Sequence, residues 1–203
     1  MKTALCTLLV STLALAQAPA PPAPAAKAAP AAPQPAAPQP AAPTSAAQVL
    51  ERSLAGVERQ FVPAADAMPE AAYGYTPTGG EFKGVKTYAQ QVKHIAMVNY
   101  ALGAAIAGEK STVDAKELEN GSEAMKSKAE IMKFLKDSFV VARKAVAGIK
   151  DAELIAPIPS PFGPNQTTRL NLASILTFHA MDHYGQMVVY LRHNSIIPPA
   201  SRR

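Results

Sequence analysis

From residue 45 onward the apolar residues of this chain recur every three to four positions, and no segment alternates convincingly. That periodicity marks helices with one buried stripe and argues against a substantial sheet. Ser45-x-x-Gln48 is a capping-box candidate, and Leu50, Leu54, Val57 and Phe61 follow at 4, 3, 4 spacing. This predicts a first helix over about 46–62, ended or kinked by Pro63. After a turn-rich stretch over 68–80, a second helix is predicted over about 85–107, stopping before Gly108, with Lys86, Gln90 and Lys93 setting its solvent arc. A third is predicted over about 122–147, where Ile131, Leu135, Ser138, Ala142, Ala145 and Ile149 keep near-heptad spacing. Four prolines between Asp151 and Asn165 separate it from a fourth helix over about 169–193. Four amphipathic helices in one compact segment predict an all-α fold, a four-helix bundle over 45–203.

The chain before residue 45 belongs to another class. Lys2 precedes about fourteen mostly apolar residues, ending in the small-residue pattern Ala14-Leu15-Ala16. This predicts a signal peptide over 1–16, too short to span a membrane comfortably, and hence export to the periplasm or beyond the cell. The only cysteine, Cys6, lies inside it, so the mature chain is expected to have no disulfide, thiolate ligand or cysteine nucleophile. Residues 17–44 hold ten of the nineteen prolines among alanines. Such a segment cannot bury a core and is expected to act as a disordered, extended Ala/Pro-rich linker. Without Lys2 and Lys27 the twenty basic residues become eighteen against fifteen acidic ones, a mild and scattered excess of +3. No basic stripe interleaved with aromatics is present, so no nucleic-acid partner is expected.

Chemistry concentrates in the fourth helix. At 100° per residue Leu172, Ile175, Leu176, His179, His183, Gln186, Met187 and Tyr190 share one stripe, with the two imidazoles near its centre. Histidines one turn apart can close on a single metal ion; two core histidines bonded to backbone or to each other would use the same pattern. Asp182 lies about 80° off the stripe centre, placed either to orient a ligand imidazole or to face solvent at the bundle edge. Gln186 is expected on the buried stripe, hydrogen-bonded to a ligand or to backbone. Ala180 stands where a zincin protease carries its water-activating glutamate, which disfavours peptidase chemistry. His94 lies on the flank of the second helix, away from the centre through Val92, Ile95 and Asn99, and periodicity alone does not choose it as a ligand.

A family resemblance bears on that choice. Met68-Pro-Glu-Ala-Ala-Tyr-Gly-Tyr-Thr-Pro-Thr followed by Gln91-Val-Lys-His94-Ile-Ala resembles the first-to-second helix region of DinB-like (DinB/YfiT) bundle proteins. His179-Ala-Met-Asp-His183-Tyr-Gly-Gln186 resembles the family's His-x-x-x-His-Arg-Gly-Gln, and Leu191-Arg-His-Asn-Ser-Ile-Ile-Pro-Pro199 its ending. Tyr184 replaces the arginine, and Asp182 stands where many relatives have a further histidine. The resemblance implies a metal site formed by His94, His179 and His183.

Three imidazoles without a fourth protein ligand would leave a position for water or substrate. Zinc or nickel is expected, with iron and manganese compatible with the same donors. Three functions follow: a metal-dependent hydrolase or thiol-type transferase on a small molecule, a non-catalytic metal-binding or envelope-associated module, or a structural bundle, paired as a homodimer, that does not use its histidines. Export counts against a thiol cofactor, because such thiols are held mainly in the cytosol.

Overall fold

The computed structural model describes residues 42–202; the leader expected over 1–16 and nearly all of the linker expected over 17–44 lie outside the described residues. Four helices form the predicted bundle: α1 (Ala46–Ala67), α2 (Tyr88–Ala107), α3 (Lys128–Ala147) and α4 (Arg169–His193). α1 packs against α3 and α4, and α2 packs against the same two, so α1 and α2 stand on opposite corners. The shared core holds Leu54, Phe61, Tyr88, Leu102, Leu135, Phe139, Leu176 and Met187. Asn99 crosses this core to donate to the Ser138 hydroxyl (3.1 Å), which donates to the Leu135 carbonyl (2.7 Å), so the buried polar groups of α2 and α3 satisfy one another. Outside, Arg143 of α3 clasps Glu51 and Glu58 of α1 at 2.6 and 2.9 Å. No helix among the described residues is long and apolar enough to cross a membrane.

α1 does not stop at Pro63 but runs on to Ala67. Pro63 is exposed, so the Arg59 carbonyl that loses its intrahelical donor can be hydrated. The added turn buries Ala64, Ala65 and Met68. Its end carbonyls find donors outside the helix: Tyr88 donates to Ala64 (2.6 Å), Tyr73 to Ala65 (2.8 Å) and Lys128 to Asp66 (2.5 Å). Burial pushes both phenols far above their ordinary pKa, which keeps them protonated as donors. The Met-Pro…Tyr stretch that carries part of the family resemblance therefore seals the end of α1. Tyr88→Phe, leaving the buried Ala64 carbonyl without its donor, is expected to cost about 1–3 kcal/mol of unfolding free energy in urea titrations. A loss of a few tenths would show that this carbonyl finds another donor.

Three further expectations are corrected. α2 starts at Tyr88 because Thr87 and Gln90 form a reciprocal capping box. α3 starts at Lys128, not near 122, because Ser127 and Glu130 form another. Lys93 does not face solvent: it is 5% exposed, covered by the segment that joins α2 to α3. The stretch between α3 and α4 also contains a small antiparallel hairpin, β1 (Pro157–Pro159) with β2 (Gln166–Thr168), too short for alternation to reveal. It leads into Thr168, which caps α4 by accepting from the Asn171 amide (3.2 Å).

Candidate metal centre

His94 from α2 and His179 and His183 from α4 meet where these two neighbouring helices face each other. Their Nε2 atoms point at one another: His94 to His179 is 3.2 Å and His183 to His179 is 3.0 Å. His94 and His183 are each 7% exposed and His179 is half-buried. Among the described residues these three are the group of side chains able to hold a metal ion together.

The outward-facing nitrogens fix the hydrogens. His94 Nδ1 lies 2.7 Å from the Leu118 carbonyl, which can only accept, so Nδ1 carries the hydrogen. His183 Nδ1 makes a short contact with Gln91 Oε1, again an acceptor, while Gln91 Nε2 donates to Gln186 Oε1 at 2.9 Å. Both neutral rings thus present bare Nε2 lone pairs to His179, whose Nε2 can supply at most one hydrogen. One of the two short N···N contacts is then lone pair against lone pair. A cation among the three nitrogens would satisfy all of them. The spacing also suits one: nitrogens about 2.0–2.1 Å from a tetrahedral zinc stand roughly 3.3 Å apart.

Electrostatics keeps the lone pairs free. Burial lowers the pKa of all three histidines, the Lys86 charge lowers each further, and a charge on His94 lowers His179 as well. For His183 desolvation, then His179 and His94, push the value down to about 4. The unfolded chain, with an ordinary imidazole near 6.5, takes up protons before the fold does. Stability of the metal-free protein is therefore expected to fall as pH drops from about 6.5 to about 4, by up to roughly 3 kcal/mol from His183, and to level off for this group below that. Urea midpoints measured in chelator across this range test it. A flat profile, or the same slope in a His183→Ala protein, would contradict it.

The positions around the ligands differ in part from expectation. Gln186 is exposed rather than buried, yet it is engaged: its Oε1 accepts from Gln91 and its Nε2 donates to Asp182 Oδ2 (3.0 Å). Asp182 is exposed and pairs with Gln186 rather than with a ligand ring. Gln91, 1% exposed, is the residue that sequence reasoning missed. It lies one turn before His94 on α2, a helix buried nearly all round, so no local pattern sets it apart. His193 stands apart, with its Nδ1 3.2 Å from the Tyr75 hydroxyl.

The three imidazoles open into a cleft of about 520 Å³. Val98, Leu118, Phe162, Ile175 and Phe178 give it apolar walls, and the Lys86–Glu119 ion pair supplies its charged edge. Phe162, from the hairpin loop, and Phe178 are 54% and 61% exposed. Glu119 is held below its usual pKa mainly by the Lys86 hydrogen bond, so it stays ionised.

Residues 53–187 match the DinB superfamily. The crystal structure of a conserved protein from Enterococcus faecalis is similar, with a TM-score of 0.57 at 15% identity, covering 72% of this chain and 95% of that one. At such identity the likeness establishes the fold alone. None of the curated proteins matches the chain.

Proposed function

The chain belongs to the DinB superfamily, and from that premise we propose that it is an exported protein that binds one divalent ion through His94, His179 and His183 and uses it to transform a small molecule. The observation that carries this reading is the convergence of three Nε2 atoms, two of them stripped of hydrogen by the acceptors behind their rings. Zinc or nickel suits the all-imidazole donor set, which iron and manganese also accept. A bound ion of this kind supplies Lewis acidity or a water of lowered pKa.

This chain's own residues supply the rest. Val98, Ile175, Phe162 and Phe178 offer apolar contact to a substrate body and exclude water from the imidazole side of the cleft. The Lys86–Glu119 pair offers one polar anchor at the edge. Ala180, buried at 1%, contributes no acid or base. Hydrolysis of a small ester, lactone or amide fits this inventory. Thiol transfer fits it less well if the leader directs export.

The test begins with metal analysis of protein purified without a histidine tag. About one equivalent of a transition ion, and turnover lost on stripping and regained on reloading, is the expected result. Turnover that survives stripping would sink the metal mechanism. Firm binding without turnover on ester, lactone, amide or thiol-conjugation substrates would assign the chain to a non-catalytic metal-binding module instead. Export has its own readout: the mature N-terminus is expected at Gln17, and a cytosolic product retaining Met1 would overturn it.

A further inference from the structure

Gln91 occupies an unusual place for a glutamine. It is fully buried on α2, and its amide lies between the third histidine of the cluster and a chain of polar groups leading to solvent. Each link of that chain has a fixed direction. The Asp182 carboxylate can only accept, so Gln186 turns its NH₂ toward Asp182 and its carbonyl oxygen toward Gln91. Gln91 then turns its own NH₂ toward Gln186, and this leaves its oxygen for His183 Nδ1. Reversing Gln91 would set its oxygen against the Gln186 oxygen, acceptor against acceptor.

We propose that Gln91 is a positioning residue for the site: its side-chain oxygen, oriented by Gln186–Asp182, locks His183 in the Nδ1–H form with the Nε2 lone pair aimed at the cluster. An imidazole with no acceptor behind it can carry its hydrogen on either nitrogen and rotate about its side-chain bonds, and either change withdraws the lone pair. His94 is held by an independent device, the Leu118 carbonyl. The two rings therefore respond to different substitutions. The proposal rests on the metal-binding reading only for its consequence; the proton position on His183 is a property of the metal-free protein.

Two variants and two readouts test it. Gln91→Leu keeps the volume and removes the acceptor, whereas Gln91→Glu keeps an acceptor and tests rescue. In the metal-free protein at neutral pH, ¹⁵N chemical shifts of wild type are expected to show His183 protonated on Nδ1 and bare on Nε2. Gln91→Leu is expected to move His183 toward the Nε2–H form while His94 is unchanged, and Gln91→Glu to restore the wild-type pattern. Zinc affinity by chelator competition should fall roughly 10–100-fold in Gln91→Leu, the usual effect of losing such a partner, and recover in Gln91→Glu. A folded Gln91→Leu protein with an unchanged His183 tautomer would overturn the proposal, as would equal shifts at His183 and His94, which indicate general loosening. If wild type itself holds neither zinc nor any other divalent transition ion, the metal reading fails, and the ¹⁵N comparison still decides the role of Gln91.

Discussion

His183→Ala is expected to abolish stoichiometric binding of a divalent ion while leaving a folded helical bundle. The substitution removes one of three nitrogens, and no fourth His, Cys, Asp or Glu among the described residues stands close enough to join the remaining two. Structural zinc sites with four ligands hold about 10–16 kcal/mol of apparent binding free energy, or roughly 2.5–4 kcal/mol per ligand. Losing one ligand should then cost on the order of 10²–10³-fold in affinity. The bundle survives because α4 keeps Leu172, Leu176, Met187, Tyr190 and Leu191 in the core, all buried and none dependent on His183. The truncation leaves Gln91 Oε1 without its donor, but it also removes an imidazole whose protonation opposes folding in acid. The thermal midpoint of the metal-free variant should lie below wild type at pH 7.5 and recover relative to it at pH 5. His193→Ala is the control and should leave affinity unchanged, since that ring pairs with Tyr75. Chelator competition on the three proteins decides the matter. A His183→Ala protein that binds one equivalent as tightly as wild type would place the ion elsewhere.

The parts of this site differ in how legible they are in the sequence, for physical reasons. α4 has one face on the core and one on solvent, so its histidine pair stands out from the 3.6-residue period, and its predicted limits agree with the observed Arg169–His193. α2 is enclosed nearly all round, with fifteen of its twenty residues buried. No stripe exists on such a helix, and periodicity has no means of singling out His94 or Gln91 from Val92 or Ile95. Family resemblance supplied His94; nothing local supplied Gln91. Lys93 misled in the same way, because a lysine was assigned to solvent where its stem is covered by the α2–α3 connection and its ammonium donates to the Ser122 carbonyl (3.0 Å). Gln186 misled in the opposite sense: its angle on the helix is close to the buried stripe, but its side chain is exposed and turns to Asp182. The boundary errors at Pro63 and near residue 122 share one cause. Helix ends are set by side chains reaching in from other segments, such as Tyr73 and Tyr88, or by caps that compete with earlier candidates, such as Ser127.

That same covering connection gives the second large effect: Gly121→Ala is expected to destabilise the fold by about 2–5 kcal/mol and to weaken metal binding roughly tenfold. Gly121 has a φ of 72°, in the left-handed region that costs other residues about 1–2 kcal/mol. A Cβ built there would stand 2.3 Å from Lys93 Cβ and 3.1–3.2 Å from the next atoms of its stem. Lys93 Cβ is anchored on α2 and cannot yield, so the turn must lift, adding an overpacking cost of about 1–3 kcal/mol. The turn is tied down by Gly121 N–H to the Glu117 carbonyl (2.7 Å), by Ser122 to Glu117 (2.8 Å) and by Lys93 to Ser122. Between these ties sits Leu118, whose carbonyl fixes the hydrogen of His94. Lifting the turn withdraws that carbonyl, and the loss of such a partner accounts for the weaker binding. Gly185 supplies the contrast: it lies in the exposed face of α4 with nothing within 4 Å of an added Cβ. Gly185→Ala should therefore stabilise the helix by up to about 1 kcal/mol. Urea titrations of both variants, with zinc competition on each, should give shifts of opposite sign in stability and a weakened site only for Gly121→Ala. A Gly121→Ala protein within a few tenths of a kcal/mol of wild type would mean that the connection does not grip α2 through Lys93.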